Sequence, residues 1–89
     1  MATVHFTRWL KGIAPGEPVA IDGATVGDAL NRLFADNAQA RGYVLDEQGR
    51  LRKHVCIFLD GKRLAHTAAL EAPLEPQSEL YVMQALSGG

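Results

Sequence analysis

The chain has little of what would mark a membrane protein, a nucleic-acid binder or a metalloenzyme. Cys56 is its only cysteine, so no intramolecular disulfide can form and an oxidising compartment is not implied. No stretch approaches the roughly 18 apolar residues of a membrane span. Met1-Ala2-Thr3-Val4-His5 also lacks the basic and apolar segments of a secretory signal. A cytoplasmic protein without a membrane partner is the expectation. Nine basic and ten acidic residues leave a formal net charge of -1, which gives no electrostatic case for nucleic acid. Arg50, Arg52 and Lys53 form a local basic cluster that reads as a solvated loop. His5, His54 and His66 lack the short paired spacing of zinc ligands. No metal site and no bound cofactor are expected.

What is present suits one small domain. A chain of 89 residues buries only roughly 60 to 65% of its unfolded surface, so the core must be modest. Thr3 to Leu10 reads as a strand with Val4 and Phe6 on one face and His5, Thr7 and Trp9 on the other. Gly12, Pro15 and Gly16 punctuate a hairpin connection to a second strand, Pro18 to Ile21. Pro18 lacks an N–H and favours the sheet edge.

Thr25 stands three residues before Asp28, a carboxylate variant of the capping-box spacing that starts a helix. Val26, Ala29, Leu30, Leu33 and Phe34 then form one apolar stripe, with Gly42 as the terminator beyond it. After the polar turn Asp46-Glu47-Gln48-Gly49 comes a third strand, His54 to Leu59. Asp60-Gly61 predicts a type I′ hairpin into a short fourth strand, Lys62 to Leu64. Leu70 and Leu74 mark an irregular crossing that plugs one end of the core, and Pro76-Gln77-Ser78 turns into the last strand, Glu79 to Leu86. Hairpins flanking one helix imply an α+β sheet with the helix on one face.

The last strand runs into Leu86-Ser87-Gly88-Gly89. Two residues without side chains can enter a narrow channel that any Cβ would obstruct. Gly89 is therefore the candidate reactive group, with residues 1–86 as the domain and 87–89 as a flexible tail. Strand parity adds a second candidate: if Val55, Ile57 and Leu59 face the helix, Phe58 faces away, as do Met83 and Trp9. Cys56 reads as a small packing residue rather than a sulfur relay.

Together, Ala85-Leu86-Ser87-Gly88-Gly89, the helix start Gly23 to Leu30, the stretch Asp46 to Val55 and the hairpin Ile57 to Leu64 resemble the ubiquitin-like β-grasp sulfur carriers of the MoaD/ThiS type. That group includes the small subunit of molybdopterin synthase and the thiamin thiazole sulfur carrier. Cys56 stands where many of these carriers have asparagine, and the tail lacks a proline-rich approach to the diglycine. The longer loop before His54 is more similar to the cysteine-biosynthesis carriers.

The resemblance implies a mixed four- to five-stranded β-grasp sheet with one main helix across one face. It also implies a carrier rather than an enzyme, or the small subunit of a molybdopterin synthase-like complex. A C-terminal carboxylate, with a reference pKa of roughly 3.3 to 3.7, is ionised at neutral pH and a poor acyl donor. In the family an E1-like enzyme using ATP and Mg adenylates it, a persulfide donor supplies sulfur, and a downstream synthase consumes the thiocarboxylate. Carried over, Gly89 with Gly88 is the acyl site, and Trp9, Phe58, Met83, Leu86 and Ser87 meet partners. Two alternatives stay open: a protein modifier conjugated to lysines through Gly89, and a non-catalytic β-grasp interaction module.

Overall fold

In a computed structural model, residues 1–6 and 17–84 are described. Nine elements follow in order: β1 (Ala2–Phe6), β2 (Val19–Ile21), α1 (Val26–Leu33), a 3₁₀ turn (Phe34–Asp36), α2 (Ala38–Val44), β3 (Val55–Leu59), β4 (Lys62–Arg63), a second 3₁₀ turn (Ala69–Glu71) and β5 (Glu79–Gln84). The strands form one mixed sheet in the order β2-β1-β5-β3-β4. β5 is central, parallel to β1 and antiparallel to β3. This is the α+β β-grasp arrangement expected from the sequence.

Alternation decides which side chains enter the core. Val4 on β1, Leu80 and Val82 on β5, and Val55 and Ile57 on β3 are buried together with Val26, Leu30 and Phe34. The ladder registers Val4 with Leu80 and Ile57 with Val82, so equivalent pleats point at the helix across three strands. Each such side chain contributes about 1.5 to 3 kcal/mol on burial, which fixes the register because a one-residue slip would expose the whole set. Phe6, Leu33 and Leu59 close the margin of this cluster.

The caps explain where α1 begins. The Thr25 hydroxyl accepts the Asp28 N–H at 3.1 Å, while the Asp28 carboxylate accepts the Ala24 N–H at 3.1 Å. The reciprocal bond thus falls one residue before the cap, a variation on the box that still satisfies two donors. The Asp28 carboxyl is held below its ordinary value, chiefly by that Ala24 bond and further by Arg32 one turn on.

One expectation needs correction. Gly42 does not terminate the helix that starts at Thr25; it lies inside a second helix. α1 stops at Leu33, passes through a 3₁₀ turn, and the Asn37 side chain starts α2 by accepting the Ala40 N–H at 3.2 Å. Ala40 and Val44, one turn apart, are buried beneath it. A side chain at Gly42 would meet open space.

The turns follow their chemistry. Asp60 and Gly61 have φ of 51° and 86°, the left-handed pair required of a type I′ hairpin. Asp46 Oδ1 accepts the N–H groups of Gln48 and Arg50, and Gly49 has φ of 79°. These contacts close the loop across an isolated bridge between Leu45 and Leu51. Ala69 is buried and Leu70 and Leu74 pack against the core, so the crossing plugs it as expected. No helix among the described residues is long and apolar enough to cross a membrane.

Candidate functional site

The sheet has one face against the helices and one turned away from them. Parity puts His5 of β1, Tyr81 and Met83 of β5, and Cys56 and Phe58 of β3 on the second face. Tyr81 is the centre of this surface: its register partners are His5 on one side and Phe58 on the other. The His5 and Tyr81 rings stack with centroids 4.3 Å apart and planes 7° from parallel. His5 Nε2 also lies 2.8 Å from Glu79 Oε1, two residues along the same face of β5. That contact orients the imidazole against the Tyr81 ring.

Phe58 and Met83 are thus brought to one face, as strand parity required, and both are partly exposed. Tyr81 is 38% exposed, making it the large apolar side chain most available on that face among the described residues. The strand alternation already places His5 and Tyr81 on this face, but the sequence reading does not include either among the docking candidates. Cys56 shares the face but is buried. The strand-to-face logic for Trp9 falls on residues 7–16, outside the described set, and Leu86, Ser87, Gly88 and Gly89 lie outside it as well.

β5 is hydrogen-bonded to β1 and β3 on its two flanks, and Gln84 at its described end is registered with Val55 at the start of β3. A cleft of about 500 Å³ opens between the Asp46 loop and the second 3₁₀ turn. Arg50, Lys53, His66 and Thr67 line it above Leu51 and Leu70. The Asp46 carboxyl at its edge is held below its ordinary value, first by the Arg50 N–H and then by the Gln48 N–H and the charges of Arg50 and Arg52.

Among the described residues no group of three His, Cys, Asp or Glu side chains could hold a metal, and no buried side-chain polar atom lacks a partner. His66 Nε2 is engaged with the Arg52 carbonyl at 2.9 Å.

No family model and no curated protein matches the chain. Solved structures do. SAMP1 from Haloferax volcanii is 27% identical with a TM-score of 0.76, over 99% of this chain and 98% of that one. The Amycolatopsis orientalis BexX/CysO complex gives 22% identity and a TM-score of 0.84 over the full length of both chains. CysO from Mycobacterium tuberculosis gives 19% identity and a TM-score of 0.83, over 97% of this chain and all of that one. The last two likenesses bear on the fold, and the first extends to sequence over nearly the whole chain. Fold and likeness together give the chain a ubiquitin-like β-grasp fold, similar over nearly its whole length to SAMP1.

Proposed function

We propose that the chain is a sulfur carrier whose reactive group is the Gly89 carboxylate. The observation that carries this reading is the match to carrier-type folds over essentially the entire chain, with the Gly88-Gly89 pair following the central strand in sequence. A carboxylate oxygen attacks the α-phosphorus of ATP, bound with Mg by an E1-like partner, and pyrophosphate leaves. The terminal sulfur of a persulfide donor then attacks the acyl carbon and AMP departs with the C–O bond. A thiol cleaves the resulting acyl disulfide, leaving a thiocarboxylate for a downstream synthase. Adenylation replaces a leaving group that would be oxide with one that is a phosphate monoester, which is what makes acyl transfer feasible.

In this reading the chain supplies the acyl group and a rigid surface. Catalysis belongs to the partner. The face carrying Tyr81, Phe58 and Met83 suits docking, because partly exposed aromatic and methionine side chains anchor interfaces well. Trp9, Leu86 and Ser87 join it in this reading.

Intact-mass measurement after incubation with the activating enzyme, ATP, Mg and a persulfide donor tests the proposal. A gain matching one oxygen replaced by sulfur is expected, and deletion of Gly89 abolishes it while leaving the thermal melt unchanged. Ladders of heavier protein conjugates without that gain support the modifier instead, and unchanged transfer by the truncated chain refutes Gly89 as the acyl site.

A further inference from the structure

A single row of side chains crosses four strands on the open face. His5 of β1 is the register partner of Tyr81, Tyr81 of Phe58 on β3, and Phe58 of Arg63 on β4. The stacked end of this row stands on a fixed base. Glu79, whose Oε1 lies 2.8 Å from His5 Nε2, is clamped through its own backbone: its N–H donates to Asp60 Oδ1 at 2.8 Å, and its carbonyl accepts the Asp60 N–H at 2.9 Å.

The Glu79 contact decides which ring nitrogen of His5 exchanges a proton. An ionised carboxylate can only accept, so Nε2 carries hydrogen in the neutral ring and in the imidazolium alike. Nδ1 is the position that gains or loses one, and histidine makes that change between about pH 5 and 8. The gain strengthens both contacts of the ring. Its bond to Glu79 becomes charge-assisted, and a cation then lies flat against the Tyr81 ring. The Glu79 side chain is 48% exposed, so the pair is screened and adds little to global stability; its effect falls on the ring it orients.

The charged groups around His5 are few among the described residues. β5 brings Glu79 and the Tyr81 hydroxyl. β2 brings none to its ladder with β1, where its residues are Val19, Ala20 and Ile21. Asp60 reaches the Glu79 backbone, and Arg63 stands at the far end of the row with Tyr81 and Phe58 between.

Resting on the carrier reading above, we infer that His5 and Glu79 are positioning residues for Tyr81. A proton taken from water at His5 Nδ1 holds the Tyr81 ring in its stacked orientation, and its loss frees the ring, so docking of the activating enzyme on this face is coupled to pH.

The test has two arms. In the free chain, aromatic 13C relaxation of Tyr81 is measured between about pH 5.5 and 8 in wild type, Glu79→Gln and His5→Phe. The wild-type ring becomes more ordered as pH falls. Glu79→Gln loses about half or more of that response, and His5→Phe, which keeps an aromatic stack but has no proton to exchange, loses all of it. In the second arm, adenylation kinetics of wild type and His5→Phe are compared at each pH, a ratio that cancels the enzyme's own titrations. The KM of wild type relative to His5→Phe is about threefold or more lower at pH 6 than at pH 8, with the kcat ratio unchanged. Thermal melts confirm that each variant is folded.

A Tyr81 ring equally ordered across the range, or a response that persists in His5→Phe, overturns the positioning role. A ring response with no change in the KM ratio overturns its coupling to docking. Wild-type chain that is never adenylated refutes the carrier reading and the coupling with it, a result told apart from failure of the pair because the free-chain arm needs no partner.

Discussion

Two glycines predict opposite outcomes for the same substitution. An ideal Cβ at Gly23 would lie 2.7 Å from the Ala29 backbone nitrogen, 2.8 Å from its Cα and 2.9 Å from its Cβ. The obstacle is mostly helix backbone, which cannot rotate aside as a long side chain can. Gly23→Ala must therefore push α1 away from the segment that leads into it, and overpacking of this kind costs about 1 to 3 kcal/mol. At Gly42 a Cβ meets nothing within 4 Å, and the residue sits inside α2. Gly42→Ala removes the entropy that glycine loses in a helix and stabilises by about 0.5 to 1 kcal/mol. For a domain of this size each kcal/mol moves the midpoint by about 4 to 8 °C, so the two variants should separate by roughly 6 °C to 30 °C in a thermal melt, on opposite sides of wild type. A Gly42→Ala variant that melts below wild type would restore Gly42 as a left-handed helix terminator and remove α2. A neutral Gly23→Ala would mean that the start of α1 is not packed as closely as described.

Acid sensitivity should centre in part on Asp46. Its folded pKa is lowered from 3.8 by the N–H donors of Arg50 and Gln48, so its ionised form adds stability above about pH 4 that is lost as pH falls through the lowered folded value. Asp46→Asn keeps an oxygen for both N–H groups but not the charge, so the gap between it and wild type in thermal melts should narrow as pH drops below that range. A gap independent of pH would show that the charge contributes nothing. On the open face, Tyr81→Ala should lower kcat/KM for activation by about tenfold or more, as expected of a central interface aromatic. Tyr43→Ala, which truncates an equally exposed ring on α2 (42% against 38% for Tyr81), should not. Equal effects of the two would remove the open face from docking.

Sequence pattern was most informative where local chemistry and burial agree. Thr25 and Asp28 mark a helix start because a side-chain oxygen three residues from a free N–H has few other uses, and both bonds are present. Asp60-Gly61 specifies its turn because few residue pairs tolerate two positive φ values. The break after Leu33 was less legible. Gly42 reads as a stop because glycine commonly ends helices, yet the competing signal was Asn37 three residues before Ala40, with Ala40 and Val44 on one face. Tertiary burial of that pair outweighs the glycine. The open face shows a different shortfall: period 2 alone assigns His5 and Tyr81 to it, but their 4.3 Å stacking depends on which strand lies beside which. Adjacency of β1 and β5 joins residues 76 positions apart, and no local pattern encodes that.

The same topology argues that recognition uses the face and not the edges. β2 offers three residues and follows directly on Pro18, which cannot donate to a ladder; β4 offers only Lys62 and Arg63. Neither edge is long enough to template an added strand of ordinary length. On the carrier reading proposed above, a partner instead covers the pleated surface around Tyr81. Because β5 is paired on both sides, its direction is set by two ladders at once.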